Sequence, residues 1–338
     1  IDLNDTFFNS LKEDYPGFDA WFEKKSKDNS EAYVQYTNDN LQAFLYLKNE
    51  SGEALTDITP IRPACNRLKV GTFKIDAHNT KLGERFVKKI LDTALDMKAE
   101  EIYVTIYPKH EGLIRILQRY GFNEEGKKGE ELVLVKNMKI LTGDILKDFP
   151  LLTTKDKRKF LLSIYPKYHT KMFPDSILRN EESKKYELVK DVSYTNSIHK
   201  VYLCFMSDTA KLQRGDIIAI YRTKDDKGSA RYRSVITSIC QIEEVKTNKD
   251  FATVEDFLAY TNFYSIFDSE ELKQWYQQKN CYILKMTYNI ALTKRVTNGY
   301  LVDNLNMSPK YWGFFQLTDE QFDAILKKGE VDEGVIID

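Results

Sequence analysis

Residues 67–108 constrain the fold of this chain more than any other stretch. "RLKVGTFKID" has the apolar positions of a strand at Val70, Phe73 and Ile75. "HNTKLGERFVKKIL" (78–91) then passes from small, polar and basic residues, with one glycine, into an amphipathic helix expected from Leu82 to Met97. "EEIYVTIYP" follows at once, with Ile102, Val104 and Ile106 alternating with Tyr103, Thr105 and Tyr107, the period of a second strand. "HEGLIRILQRYGF" closes the run as a helix that sends Leu113, Ile116 and Leu117 inward and stops at Gly121. Strand, helix, strand, helix in this order commits the first half to an α/β layer.

The flanking residues fit that layer. Asp5 is placed to cap a first helix carrying Phe7, Phe8 and Leu11; Pro16-Gly17 breaks it, and Phe18, Trp21 and Phe22 resume on one helical face. "AYVQYT" and "LQAFLYLKNE" form a strand pair turned at Asn38, Asp39 and Asn40, and "KGEELVLVKNM" is the last strand of the half. A length of 338 residues suits two domains of ordinary size. The expected division is a first domain over 1–140, a linker over 141–156, where "KILTGDILKDFPLLTTKDKRK" loses all period, and a second domain over 157–338. There the texture changes to short alternating strands: "KFLLSIYP", "KVYLCFMS", "DIIAIYRT", "ARYRSVITSICQIEEV" and "CYILKMTYNIAL". Ser269 is the expected cap of one helix, and Thr318 and Gly329 are the expected cap and stop of another. The fold class is therefore α/β (α+β), a mixed-sheet domain followed by a mainly β domain with helical additions.

Several function classes drop out. A formal net charge of -1 gives the whole chain no pull on nucleic acid or membrane, though local basic patches remain. No run of about 18 apolar residues exists to span a bilayer. Cys65, Cys204, Cys240 and Cys281 are far apart and lack a CxxC pair, which argues against zinc and redox motifs and for a reducing, cytoplasmic setting.

The chemistry concentrates where the first strand turns into its helix. A helix N-terminus offers unpaired N–H groups and partial positive charge, glycine lets an anion come close, and Lys81, Arg85, Lys88 and Lys89 add charge nearby. The element order, together with Gly83 and the closing "RYGF", resembles the GNAT acetyltransferase superfamily over about residues 1–140. In its Gln/Arg-x-x-Gly-x-Gly/Ala signature, Thr80 takes the first place, Gly83 the first glycine and Arg85 the second small residue. In its Asn-x-x-Ala-x-x-x-Tyr-x-x-x-Gly-Phe signature, His110, Leu113 and Leu117 replace Asn, Ala and Tyr, and Gly121-Phe122 matches. The resemblance implies acetyl-CoA as co-substrate, bound by Phe73, Ile75, Thr80, Lys81, Leu82, Gly83, Glu84, Arg85 and His110. It implies direct attack of an amine on the acetyl thioester, with a base that takes the amine proton. Glu50 and Asp76 are the carboxylates near that region, and His78 and His110 flank the turn. With Leu117 where the family has its tyrosine acid, Tyr107 or Tyr120 inherits that role.

The second half resembles PUA-like barrels of the ASCH group through Ser163-Ile164-Tyr165-Pro166, Gly215-Asp216 and a partial Lys-x-x-Glu-x-Arg pattern, with Lys184 and Glu187 present and Val189 in place of Arg. Such barrels imply RNA or modified bases as partners. Lys167, His169, Arg222, Arg231 and Arg233, interleaved with tyrosines, are the residue types that grip phosphate and stack on bases. The combined expectation is an acetyl-CoA-dependent N-acetyltransferase whose second domain selects the acceptor, a tRNA, other RNA or RNA-bound protein. The alternative is a non-catalytic RNA or modified-base binder with a degenerate acetyltransferase fold, which the changes at Thr80, Arg85 and Leu117 favour. A third reading acetylates a small molecule or protein and leaves the second domain as a homodimer contact.

Overall fold

The computed structural model describes residues 1–76, 81–176 and 197–338. The chain divides into two compact units, Ile1–Lys139 and Ile140–Asp338, each with its own sheet. Both sheets are mixed, so the protein is of the mixed α/β class.

In the first unit, Asp5 accepts from the Phe7 amide and starts a single 3-10 turn, Thr6–Phe8, that leads into helix α1 (Asn9–Asp14). Pro16 and Gly17 separate it from α2 (Phe18–Lys27). Phe7, Phe8, Leu11 and Phe18 pack with Leu41, Phe44 and Tyr46 in one cluster, so the helix pair is held to the sheet by its aromatic face. The sheet runs β1 (Tyr33–Thr37), β2 (Asn40–Asn49), β3 (Arg67–Ile75), β4 (Glu101–Ile106), β6 (Glu131–Asn137), β5 (Asn123–Lys128). Helix α3 (Leu82–Asp96) connects β3 to β4, burying Phe86, Val87, Ile90, Leu91 and Ala94, and α4 (Glu111–Arg119) follows β4. The β3–β4 pair is the parallel seam of this sheet; its other pairs are antiparallel. The strand expected over 128–138 is β6, and an unexpected strand, β5, precedes it, the chain reversing at Gly129 with φ +58°. β5 reads "NEEGKK" because it is an exposed edge strand with no apolar face to betray it.

The second unit's sheet is ordered β12 (Phe314–Leu317), β7 (Lys159–Ile164), β9 (Ile217–Arg222), β10 (Val235–Thr247), β11 (Tyr282–Thr297), β8 (His199–Cys204). β10 and β11 are long, and their register shifts at three places, which bends them sharply. All six strands send side chains into one cluster, from Phe160 on β7 to Phe314 on β12, so the sheet curls around its own core. Helices Val254–Thr261 and Ser269–Tyr276 cover Val201, Leu203 and Ile283 on another part of the sheet. The segment 141–156 carries a short helix, α5 (Ile145–Asp148), and the buried residues Phe149, Leu151 and Leu152.

Three local expectations are corrected. β7 ends at Ile164, and Pro166 opens α6 (Pro166–Met172), the first helical turn being the place where proline's missing N–H costs nothing. The expected strand from Ala230 begins as a helical turn, Ala230–Arg233, before β10. The cap of Ser269–Tyr276 is Asp268, whose carboxylate accepts from the Glu271 amide at 2.8 Å while Glu271 reaches back to the Asp268 amide at 3.2 Å. Thr318 does cap the helix Asp319–Lys328, which ends at Gly329. Among the described residues no helix is long and apolar enough to cross a membrane.

Candidate functional site

The parallel seam of the first unit is short. β3 pairs with β4 only from Arg67–Val70 to Glu101–Val104. Beyond it, β3 keeps its partner β2 through Ile75, and β4 keeps β6 through Ile106, but the two strands no longer pair with each other. The cause lies at Gly71. The β2–β3 register passes from Tyr46↔Thr72 to Leu47↔Val70, so Gly71 is an extra residue, a bulge that turns β3 away. Glycine is required there, since a Cβ would stand 2.7 Å from Cδ1 of Tyr46.

The gap is a cavity of about 1000 Å³. Its floor is the facing strand edges Gly71–Ile75 and Thr105–Tyr107; residues of α1 and the start of α2, together with Gly83, His110 and Ile116 of the other helices, complete its lining. Among the described residues, the N–H and C=O groups of β3 and β4 that face the gap find no strand partner. Such edges accept an extended, amide-bearing chain as a supernumerary strand.

Of the expected co-substrate residues, the structure brings Phe73, Ile75, Gly83 and His110 to the cavity. Phe73 stacks on Phe86 with centroids 6.0 Å apart. Lys81 precedes α3 at its N-cap position, and Leu82 and Glu84 are buried in its first turn. Arg85 is half-buried, its Nε makes no hydrogen bond, and burial alone pulls its pKa down. Lys81, Leu82, Glu84 and Arg85 do not themselves line the cavity; Gly83 is the residue of that turn that does. Gly83 has a packing reason as well: a Cβ would meet Ile116 Cδ1 at 2.9 Å and Ile75 Cδ1 at 3.4 Å, so the glycine lets α3 approach α4. Thr80 and His78 lie outside the described residues.

The expected catalytic groups separate. Tyr107 lines the cavity, 5.3 Å from the Tyr15 ring. Tyr120 is fully buried in the core and does not line it, and Leu117 is equally buried. Glu50 sits at the closed end of the seam, where its amide bonds the Arg67 carbonyl. Burial would raise the Glu50 pKa, but bonds from Lys48 and the Tyr103 hydroxyl outweigh it and lower it. That is a satisfied structural carboxylate rather than a base facing the cavity.

Two groups were missed. Asp14, the last residue of α1, has a side chain only 7% exposed, and its Oδ2 lies 2.9 Å from His110 Nε2, an ion-pair contact when the ring is protonated. Its other oxygen accepts from Lys109. Tyr15 donates to Glu131 at 2.9 Å, and burial followed by the Glu131 charge pushes its ionisation up, so it stays a phenol. Nothing local in the sequence marks Asp14, because its partners lie on a distant segment. Among the described residues no group of three or more His, Cys, Asp or Glu could hold a metal ion.

In the second unit, the expected phosphate-gripping residues are mostly engaged elsewhere. His169 is fully buried, with Nε2 2.7 Å from Thr237 Oγ1. Burial, then Arg222 and Arg295, hold its pKa well below the ordinary value, so it is neutral. The hydroxyls of Thr237, Ser238, Ser176 and Tyr288 continue from it as a buried hydrogen-bonded chain. Arg222 is 1% exposed. Arg231 bonds Asp303 at 3.0 Å, and Arg233 is paired with Asp225. Buried or paired in this way, these four do not present a free cationic surface. Lys167 does remain exposed, its Nζ 4.5 Å from the Tyr168 ring, beside the exposed Tyr165. Lys184, Glu187 and Val189 lie outside the described residues.

The class of the chain is thus a mixed α/β protein of two units, the first built around a parted parallel strand pair. Among solved structures it is similar to ASCH from Zymomonas mobilis, at 8% identity over 51% of this chain and 96% of that one, with a TM-score of 0.35. It is similar to the PaiA N-acetyltransferase from Thermoplasma acidophilum in complex with coenzyme A, at 13% identity over 38% and 74% of the two chains, with a TM-score of 0.27. It is also similar to a GNAT-family acetyltransferase from Streptococcus agalactiae, at 17% identity over 38% and 78%, with a TM-score of 0.29. No protein-family model and no curated protein matches the chain.

Proposed function

We propose that the Ile1–Lys139 unit is an acetyl-CoA-dependent N-acyltransferase and that the second unit selects its amine-bearing acceptor. The parting of β3 and β4 at Gly71 carries this reading. It leaves two unpaired strand edges facing a cavity of about 1000 Å³, room for an extended thioester arm between them and an acceptor beside it. Phe73 and Ile75 would align the pantetheine amides, while Arg85 and Lys81, at the start of α3, would meet the diphosphate. Bound in this way, acetyl-CoA supplies the activated acyl group, and the protein's own part is to hold, orient and shield the carbonyl.

The test is calorimetric titration of acetyl-CoA into wild type and Arg85→Gln. Saturable binding that weakens at least about tenfold in the variant fits loss of a charge-assisted phosphate contact. The absence of binding to wild type ends the reading. RNA as the acceptor rests on the exposed Lys167 and Tyr165. It predicts salt-sensitive binding of bulk tRNA that weakens in Lys167→Ala. Binding of tRNA without acetyl-CoA binding would leave the non-catalytic alternative standing.

A further inference from the structure

Deprotonation of the acceptor is the step for which the cavity must provide a base, and the sequence expectations do not settle which group does it. Each titratable group on its wall can be asked in turn. Asp76 is 45% exposed and paired with Lys74 at 3.3 Å. Glu111 is almost fully in water, 3.5 Å from Arg115. Tyr15 is a donor to Glu131 and is held protonated. Asp14 has one oxygen on Lys109 and the other on His110. Lys74 donates to Phe7 and Ser10, Lys109 donates to Asp14, and the Tyr107 phenol is a far weaker proton acceptor than an imidazole, so among the described lining residues the imidazole remains.

We propose that His110, held by Asp14 as its positioning residue, is the proton acceptor of the cavity; the proposal rests on the acyltransfer reading above. Asp14 Oδ2 lies 2.9 Å from His110 Nε2, close enough for the carboxylate charge to favour the ring hydrogen on Nε2 and leave the lone pair on Nδ1. Among the described residues neither ring nitrogen makes a hydrogen bond, and Nδ1 is the one without the carboxylate beside it. The backbone on either side is fixed: the His110 amide donates to the Tyr107 carbonyl at 3.1 Å, and His110 is the N-cap of α4. The ring therefore stands at the end of β4, where the strands have already parted, and it lines the cavity together with Asp14. Lys109 and Glu111 are its charged neighbours along the chain, and Asp14 and Tyr15 face it from the N-terminal wall.

The chemistry balances with two reactants, a primary ammonium and an acyl-CoA thioester. Nδ1 takes one proton from the ammonium. The freed amine forms a C–N bond to the carbonyl carbon, the C–S bond breaks, and the departing thiolate takes the second N–H proton. The imidazolium then returns its proton to water. Asp14 is not consumed; it fixes the tautomer and steadies the transient positive charge, the part a buried carboxylate plays behind an imidazole base.

Bromoacetyl-CoA tests this without knowledge of the acceptor. It delivers an electrophilic carbon next to the position of the thioester carbonyl. A lone pair aimed there is alkylated as the N–C bond forms and bromide leaves. Mass mapping should find the adduct on His110 in wild type, and acetyl-CoA should protect against it. Asp14→Asn should slow labelling about tenfold or more, through loss of the tautomer and ring orientation. His110→Gln should abolish it in protein whose hydrogen exchange on β3 and β4 matches wild type. Acetyl-CoA binding with the label elsewhere, or with labelling unchanged in Asp14→Asn, overturns the dyad and spares the acyltransfer reading. Failure of acetyl-CoA to bind wild type overturns both.

Discussion

The closed end of the parallel seam holds a charge cluster whose disruption can be worked through in numbers. Arg67, fully buried, donates from Nε to Glu101 and from its two other nitrogens to the carbonyls of Glu53 at 2.8 Å and Pro63 at 2.7 Å. Arg62 Nη2 meets the other Glu101 oxygen at 2.5 Å. Burial would raise the Glu101 pKa, yet the bonds from Arg62 and Arg67 outweigh it and lower it. Glu101→Gln leaves a buried guanidinium with two carbonyls and no countercharge. Breaking one side of a buried pair costs about 3–5 kcal/mol, and since Gln keeps one acceptor oxygen the lower end, ~3 kcal/mol, is expected. For a unit of this size that is a drop of roughly 10 °C in its unfolding temperature. Hydrogen exchange read on β3 and β4 peptides isolates this unit from the other. Arg67→Met combined with Glu101→Gln should recover at least about 1 kcal/mol relative to Glu101→Gln alone, because the uncompensated charge is then gone. The sign with pH follows from the lowered pKa. The wild-type advantage is full above the ordinary carboxylate range and is lost as pH falls through the depressed folded value. A loss below about 1 kcal/mol, or strict additivity in the double variant, refutes the argument.

Gly71→Val should destabilise the first unit by about 1–3 kcal/mol through collision with the Tyr46 ring, and acetyl-CoA binding by calorimetry should fall with it. Gly83→Ala should cost less, since the atom it meets is the flexible end of Ile116, and Ile116→Val should restore most of the loss in a thermal melt. Burial pushes the Cys281 thiol up to about 12 and raises Cys204, Cys240 and Cys65 as well, but of the four only Cys65 is half-exposed. Native protein should therefore release about one equivalent of thionitrobenzoate at neutral pH, and Cys65→Ser should abolish it.

How much of this was legible beforehand depended on periodicity. β4 alternates and α3 keeps its apolar stripe, so both could be placed from residue type alone. Edge strands β5 and β12 could not, since "NEEGKK" has no buried face and "FFQL" is only four residues long. The pair of strands that must part was visible, but the reason was not: Gly71 reads as one more glycine until the register against Tyr46 is known. Gly83 was singled out for a ligand and proves also to have a neighbour in Ile116. Basic residues were legible as charge but not as surface, and the burial of His169 and Arg222 is a tertiary fact. Asp14 and His110 meet only because α1 folds over the end of β4, a long-range contact with no local signature.

The sheet of the first unit can also be seen as a half-closed zipper. Three strands on one side, β1, β2 and β3, and three on the other, β4, β6 and β5, are joined along four residue pairs and then run free. An extended molecule that bridges the free edges adds rungs to that zipper, so its binding energy is also cohesion between the halves. At a hundredfold excess over its dissociation constant such a molecule adds about 2.7 kcal/mol, close to the ~3 kcal/mol that Glu101→Gln removes. A chain weakened at the shut end can therefore be mended from the open one, and amides on β3 and β4 should slow their exchange together when it is.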